Sequence, residues 1–403
     1  MVPDGTMSTG GGPLTVGGLG EAGILRILNR RFAAVPASQD WPEGTVGPGD
    51  DAAVVAAPDG RFVITTDAMA QDRDFRMTWP AASSPGATAA ARAGGSFAGG
   101  YATGWKAAAQ NLSDINAMGA EPSGLLLALT MPSSTSLAWI EGLAAGLAAA
   151  VIHLGASRCR VVGGDLGSDD RITLAVTATG DLQGRAPSRR TLSVGRQDLP
   201  EGSDPGLDLI LSGQAGWAAA GLDVLDTGRD ELLRRLEAAE EAGLPGVRRA
   251  AALAASAQLR PRPPLGAGQR AAESGALAMM DVSDGLLKDT GRLAAANRLH
   301  AELDPEWVQA EARALRPLAQ ALDRDAEHWV RAGGEDYGLL AVLPAGGSAG
   351  SRLPAGFRRI GRLVSRAAAE TAGGEEQSGA ETNGGPDGWD HFSAPFRSRP
   401  QIR

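Results

Sequence analysis

Cysteine is almost missing from this chain of 403 residues. The single Cys159 excludes an intramolecular disulfide and a cysteine-cluster metal site. Aromatic side chains make up only 4% while glycine occurs 56 times, which favours a loop-rich α/β protein over a helical bundle. No apolar stretch reaches about 18 residues without a polar break, so no membrane span is expected. The start, MVPDGTMSTGGG, lacks a basic region followed by an apolar one, so no secretory signal is expected and the chain reads as cytoplasmic. Acidic residues outnumber basic ones 47 to 38, a net charge of −9, which argues against a nucleic-acid partner. There is no G-x-x-x-x-G-K-[ST] loop and no HRD and DFG pair. His153, His300, His328 and His391 show no metal-pair spacing. The one G-x-S-x-G match, GGSAG around Ser348, runs into SRLPAG, whereas a nucleophile elbow needs a helix there.

What is present is an alternation of strands and helices. The length suggests more than one domain. Residues 1–17 read as a disordered tail, 18–180 as a first domain and 181–403 as a second. GEAGILRILNRRF, 20–32, has helical apolar spacing, and RFVITTDAM reads as a strand ending at Asp67. Residues 81–103, mostly Ala, Gly and Ser, read as a flexible insert. Trp105, Ala108, Leu112, Ile115 and Met118 then recur every three or four residues, so a helix is expected up to Gly119. LLLALTMP is a buried strand, 136–153 a helix, and RVVGGD and RITLAVTATG two more strands. The second half repeats the pattern with LDLILSG, helices near 216–257, ALAMMDVSDG, a helix near 285–298, and GGEDYGLLAVLP. Residues 366–386 read as a low-complexity acidic insert. The fold class is therefore α/β or α+β, in two domains.

The carboxylates fall in a pattern. Asp50, Asp51, Asp67, Asp165, Asp281, Asp284 and Asp336 sit at or just after apolar strands, beside Gly, Ser or Thr: GDD, TTD, GGD, MDVSDG, GGED. Asp114 lies inside the expected helix. Any one such Asp can simply cap a helix or close a turn. If several converge, their repulsion calls for cations, and Mg²⁺ takes hard oxygen ligands that it shares with substrate phosphates.

GPGDDAAVV, TTDAM, GWKAAAQNLSDINAMGAEP, GGDLG, MMDVSDGLLKD, GGEDYGLL and GWDHF occur in this order. This set closely resembles the thiamine-monophosphate kinase family, which shares a superfamily with aminoimidazole ribonucleotide synthetase and selenophosphate synthetase. The resemblance runs from about residue 20 to 392, outside the two inserts. It implies a homodimer whose first-domain sheets pair across a barrel, a sandwich-like α/β second domain, and an active site between the domains. It implies direct phosphoryl transfer from ATP to thiamine monophosphate, with several Mg²⁺ ions and no His or Cys nucleophile. Asp51, Thr65, Thr66, Asp67, Asp114, Asp165, Asp281 and Asp284 would contact metal. Gly164, Asp165, Ser283 and Arg189, with Arg190 a close rival, would contact nucleotide. Glu335 and Trp389 would contact the thiamine moiety. Where the family reads VEGVHF, this chain reads AQDRDF, so Asp74 replaces the substrate-facing histidine; Asp74→His is expected to keep or raise activity. The alternatives are another ATP-dependent enzyme of the superfamily, or a nucleotide-binding regulator with an eroded site.

Overall fold

The structure is a computed structural model and describes residues 15–39, 55–80, 96–193, 207–344 and 353–365. Asp50, Asp51 and Trp389 lie outside them, as do residues 81–95 and the acidic insert.

The first unit is built on a four-stranded sheet in the order β1-β4-β2-β3. The strands are β1 (Val63–Ala70), β2 (Glu121–Met131), β3 (Arg160–Ser168) and β4 (Thr173–Asp181). β4 pairs antiparallel with β1 and β2, and β3 runs parallel to β2. One face is covered by α2 (Phe97–Ala117) and α3 (Leu137–His153), with α1 (Glu21–Phe32) outside them. Met69, Leu125, Leu127, Leu129, Leu174 and Val176 meet Leu112, Ile115, Trp139 and Leu143 in that core.

The start of α2 corrects the sequence reading. Residues 97–103 are the first turns of the helix and not part of a loop. The Ser96 hydroxyl caps it by accepting from the Gly99 N–H, and Phe97, Tyr101 and Trp105 follow at i, i+4 spacing. The small residues are there because α2 and α3 almost touch. A Cβ on Gly104 would lie 1.9 Å from the Leu143 carbonyl oxygen, and one on Gly146 would lie 1.9 Å from that of Tyr101.

The second unit carries a five-stranded sheet in the order β6-β8-β5-β9-β7, antiparallel throughout. Its strands are β5 (Leu207–Ser212), β6 (Ala278–Val282), β7 (Leu299–Leu303), β8 (Gly338–Pro344) and β9 (Phe357–Ser365). α4 (Trp217–Asp226), α5 (Arg229–Glu241), α6 (Val247–Leu259), α8 (Leu286–Ala296), α9 (Pro305–Ala312), α10 (Arg316–Leu322) and α11 (Ala326–Ala332) pack on one face. The other face meets the C-terminal end of α2 and α7 (Ala267–Glu273), through Ala117, Ala267, Ala271, Met279, Ile210 and Leu339. α2 therefore belongs to both cores, and the junction of the two units runs along it.

Candidate active site between the two units

Strand alternation chooses which residues enter the junction. In β6, Ala278, Met280 and Val282 point to the helix layer, while Met279 lies in the small core against α2 and α7. Asp281 shares the parity of Met279, and its carboxylate accepts a 3.1 Å hydrogen bond from the Ser113 hydroxyl of α2. In β1, Thr65 and Asp67 face α2. The Thr65 hydroxyl donates to Asp114 at 2.7 Å, and the Asp67 N–H donates to Asn111 Oδ1 at 3.1 Å.

A polar stripe on α2 reaches the second unit at three levels. Lys106, Gln110 and Ser113 follow at i, i+4 and i+7, and all three are buried. Lys106 pairs with Glu335, Gln110 accepts from the Tyr337 hydroxyl at 3.4 Å, and Ser113 bonds Asp281. The loop before β8 is held in register with the loop after β6, because the N–H groups of Glu335 and Tyr337 donate to the carbonyls of Ser283 and Val282 at 2.8 and 3.0 Å. Glu335 and Tyr337 both adopt positive φ, 69° and 53°, a left-handed backbone that costs a non-glycine residue energy and recurs at functional sites.

The charges converge. Burial first, and then the charges of Asp114 and Asp289, push the Asp281 carboxyl well above the usual range; Ser113 and Arg190 oppose the shift. Burial also raises Asp114, against the hydrogen bond from Thr65 and the charge of Arg190. The Tyr337 hydroxyl is pushed well up by burial and then by Glu335, Asp67, Asp281 and Asp74. Four carboxylates named from the sequence bear on one neutral phenol and define an acidic centre, whereas Tyr337, Lys106, Gln110 and Ser113 are site residues that the sequence reading does not name. The signal is Lys106, Gln110 and Ser113, polar at helical spacing on a helix that also carries Asn111 and Asp114.

Arg190, the rival choice, is the arginine whose charge acts on Asp114 and Asp281, while the Arg189 carbonyl accepts from the Met279 N–H at 2.8 Å. Asp284 is paired with Arg292 at 2.6 Å and Lys288 at 3.3 Å. The N–H groups of Ser283 and Asp284 both donate to Asp289, a fully buried side chain that fixes the DVSDG turn. Asp336 plays the capping part open to any such aspartate: it accepts from the N–H groups of Gly216 and Ala218 at 2.6 and 2.9 Å, at the start of α4. Asp74 likewise closes the turn after β1 by accepting from the Ala70 N–H at 2.8 Å.

Other expected residues are not brought to this centre. The Thr66 hydroxyl donates to the Val176 carbonyl at 3.1 Å within the sheet. Gly164 stands in the row Asp67–Val176–Leu127–Gly164, and Asp165 in the row Ala68–Ala175–Ala128–Asp165. β1 and β3 are thus three strand spacings apart, roughly 14 Å. Asp165 is exposed and shares its side of the sheet with Ala68 and Ala128, opposite to Thr65 and Asp67. Among the described residues, no three His, Cys, Asp or Glu side chains are gathered closely enough to hold a metal ion, and no helix is long and apolar enough to cross a membrane.

Residues 49–182 match the family model described as AIR synthase related protein, N-terminal domain. The chain is 35% identical over 353 residues to thiamine-monophosphate kinase of Mycobacterium tuberculosis, covering 87% of this chain and 86% of that one. It is 33% identical to thiamine-monophosphate kinase of Corynebacterium glutamicum, covering 87% and 88%. The crystal structure of thiamine-monophosphate kinase from Stenotrophomonas maltophilia superposes with a TM-score of 0.59 at 27% identity, covering 84% of this chain and 93% of that one.

Proposed function

The chain belongs to the thiamine-monophosphate kinase family, and from that premise we propose that it transfers the γ-phosphoryl group of ATP to the phosphate of thiamine monophosphate. A phosphate oxygen of the acceptor bonds to the γ-phosphorus as the bond to ADP breaks, giving thiamine diphosphate and ADP. The acceptor oxygen is a nucleophile at neutral pH, so little general-base help is needed. Positioning and charge neutralisation carry such a transfer.

The observation that supports this most is the acidic centre at the junction of the two units. Asp67, Asp74, Asp281 and Glu335 bear on Tyr337, and Asp114 and Asp281 bear on each other. Carboxylates crowded in a buried place fit divalent cations. Bound Mg²⁺ would neutralise the polyphosphate. Asp114 and Asp281, which bear on each other, would hold it, with Thr65 as a neutral oxygen and Asp67, Asp51 and substrate oxygens completing the set. Thr66, Asp165 and Asp284 are further contacts in this reading, each from a place removed from the Asp114–Asp281 pair or already in an ion pair. Gly164, Asp165, Ser283 and Arg190, in preference to Arg189, would meet the nucleotide. Glu335, Trp389 and the segment around Asp74 would meet the thiamine moiety, where an acid and an aromatic ring suit a cationic thiazolium. A homodimer built through the first sheet and a cytoplasmic place belong to the same reading.

The test is incubation of the full chain with ATP, Mg²⁺ and thiamine monophosphate. The expected product is thiamine diphosphate, formed only when all three are present. ATP consumption without that product would point to another enzyme of the superfamily.

A further inference from the structure

A cleft lies beside the acidic centre, between the segment after β1, the first half of α2 and the end of α6. It leaves room of about 20 Å³ and is lined by Asp74, Arg76, Trp79, Thr103, Lys106 and Gln258, among others. That is the space of about one water molecule, so it takes a single small polar group of a larger molecule and not a whole ring.

Gln258 is the unusual member of this lining. It is 3% exposed. Its Nε2 donates to Glu335 Oε2 at 2.5 Å. Glu335, paired with the Lys106 ammonium, is a carboxylate and can only accept. The amide orientation is therefore fixed by chemistry: the NH₂ faces Glu335 and the oxygen faces elsewhere. That oxygen, Oε1, is buried and has no hydrogen-bond partner among the described residues. Buried acceptors are normally paired, and an orphan on a side chain that lines a cleft points to a donor supplied by a ligand.

We propose that Gln258 is a specificity-determining residue whose Oε1 accepts a hydrogen bond from the exocyclic amino group of the substrate's aminopyrimidine ring. Lys106 and Glu335 act as positioning residues that hold the amide in this orientation. The inference rests on the reading of the substrate given above. Within thiamine monophosphate the assignment follows by elimination. The ionised phosphate oxygens and the pyrimidine ring nitrogens only accept, and the exocyclic amino group is the N–H donor. Lys106 is itself fixed, since its ammonium also donates to the Asp74 carbonyl at 3.0 Å. Its side chain is only 5% exposed, so solvent does little to loosen the pair.

The test compares binding of thiamine monophosphate with that of its analogue carrying hydrogen in place of the amino group, by calorimetry on the full chain without ATP. The wild-type chain should bind the amino compound at least about 10-fold tighter, the scale expected when a buried acceptor loses its donor. Gln258→Met should bring the two compounds close to equal affinity while leaving ATP affinity unchanged. Lys106→Met should also narrow the preference although Gln258 is intact, and Lys106→Arg should recover part of it. Equal binding of both compounds by the wild-type chain overturns the inference without any variant. So does a Gln258→Met chain that keeps the full preference. Turnover is measured separately: a chain that binds with this preference yet makes no thiamine diphosphate overturns the kinase reading and leaves the role of Gln258 standing.

Discussion

Asp281 is one residue in a five-residue strand whose other members are all apolar, and every one of them is buried. An aspartate in that setting is costly alone, and it stands beside Asp114. Asp281→Asn removes one of two repelling charges and keeps a group able to bond Ser113. The ligand-free variant should melt no lower than wild type at pH 8. It should lose the rise in melting temperature that Mg²⁺ gives the wild-type chain, and its thiamine diphosphate formation should fall by about 10–100-fold or more. A variant that keeps the Mg²⁺-dependent rise would remove Asp281 from the metal set. Asp336 makes the opposite kind of case. Burial first, opposed by its two backbone hydrogen bonds and aided by Glu311 and Glu335, pushes it up to about 7. Its folded-state value lies above the ordinary one, so the folded chain holds the proton more tightly and this site loses stability as pH rises from about 4 to about 7. Asp336→Asn removes that slope. Melting curves across this range should show wild type losing ground to the variant, by on the order of a few kcal/mol at full ionisation. Parallel curves would show that Asp336 is not the titrating group. Both aspartates looked alike in the sequence, each at the mouth of an apolar strand. Only the partners, a carboxylate for one and two backbone amides for the other, separate them.

α2 is the element that makes the site, because its faces serve three neighbours at once. Trp105, Leu112 and Ile115 fill the first core, Lys106, Gln110 and Ser113 meet the second unit, and Asn111 and Asp114 meet β1. Its height against the sheet is set by the glycine crossing with α3. Gly104→Ala would drive a methyl group into the Leu143 carbonyl. It should cost about 1–3 kcal/mol or more by overpacking, and it should raise KM for thiamine monophosphate because Lys106 lies two residues away. Gly291, inside α8, is the matched control. A Cβ there meets nothing within 4 Å, so Gly291→Ala should stabilise by up to about 1 kcal/mol with unchanged kinetics. If both substitutions behaved alike in thermal melts, contact across the helix pair would not be setting the position of α2. The same helix shows where sequence reading stopped. Its apolar stripe was legible from Trp105 onward, as were the strands with clean alternation or long apolar runs. The first turns, AGGYATG, look like a loop because the side chains that would mark the pattern have been reduced to let α3 approach. β7 and β9 were missed for a related reason. β9, FRRIGRLVS, buries Phe357, Ile360, Leu363 and Val364 at uneven spacing among five charged or small residues, so no period of two stands out.

Among the described residues, the first sheet has one face built into a core and one left bare. Among the described residues nothing covers Ile64, which is 62% exposed, or Leu126, which is 37% exposed, and Thr66, Ala68 and Ala128 complete a flat surface of small and apolar side chains. A sheet face of this kind usually marks an interface. The homodimer proposed above gives it a covering: a second copy presenting the same face, as a two-fold contact requires. The strand order ties this to activity. β1 and β3 are the outer strands, so Asp165 stands across the sheet from Asp67 of its own chain and on the bare side. If Asp165 takes part in the reaction, the set of acids is incomplete until something is placed against that side. Leu126→Lys puts a charge in the middle of the bare face without touching Asp67, Asp114 or Asp281. Light scattering should find the wild-type chain as a dimer and this variant as a monomer, and the monomer should lose most of its turnover while keeping the helical content of the parent. Ile64→Lys on the neighbouring edge should do the same. A wild-type chain that is monomeric at micromolar concentration and fully active would show that one copy holds a complete site, and the bare face would then need another partner.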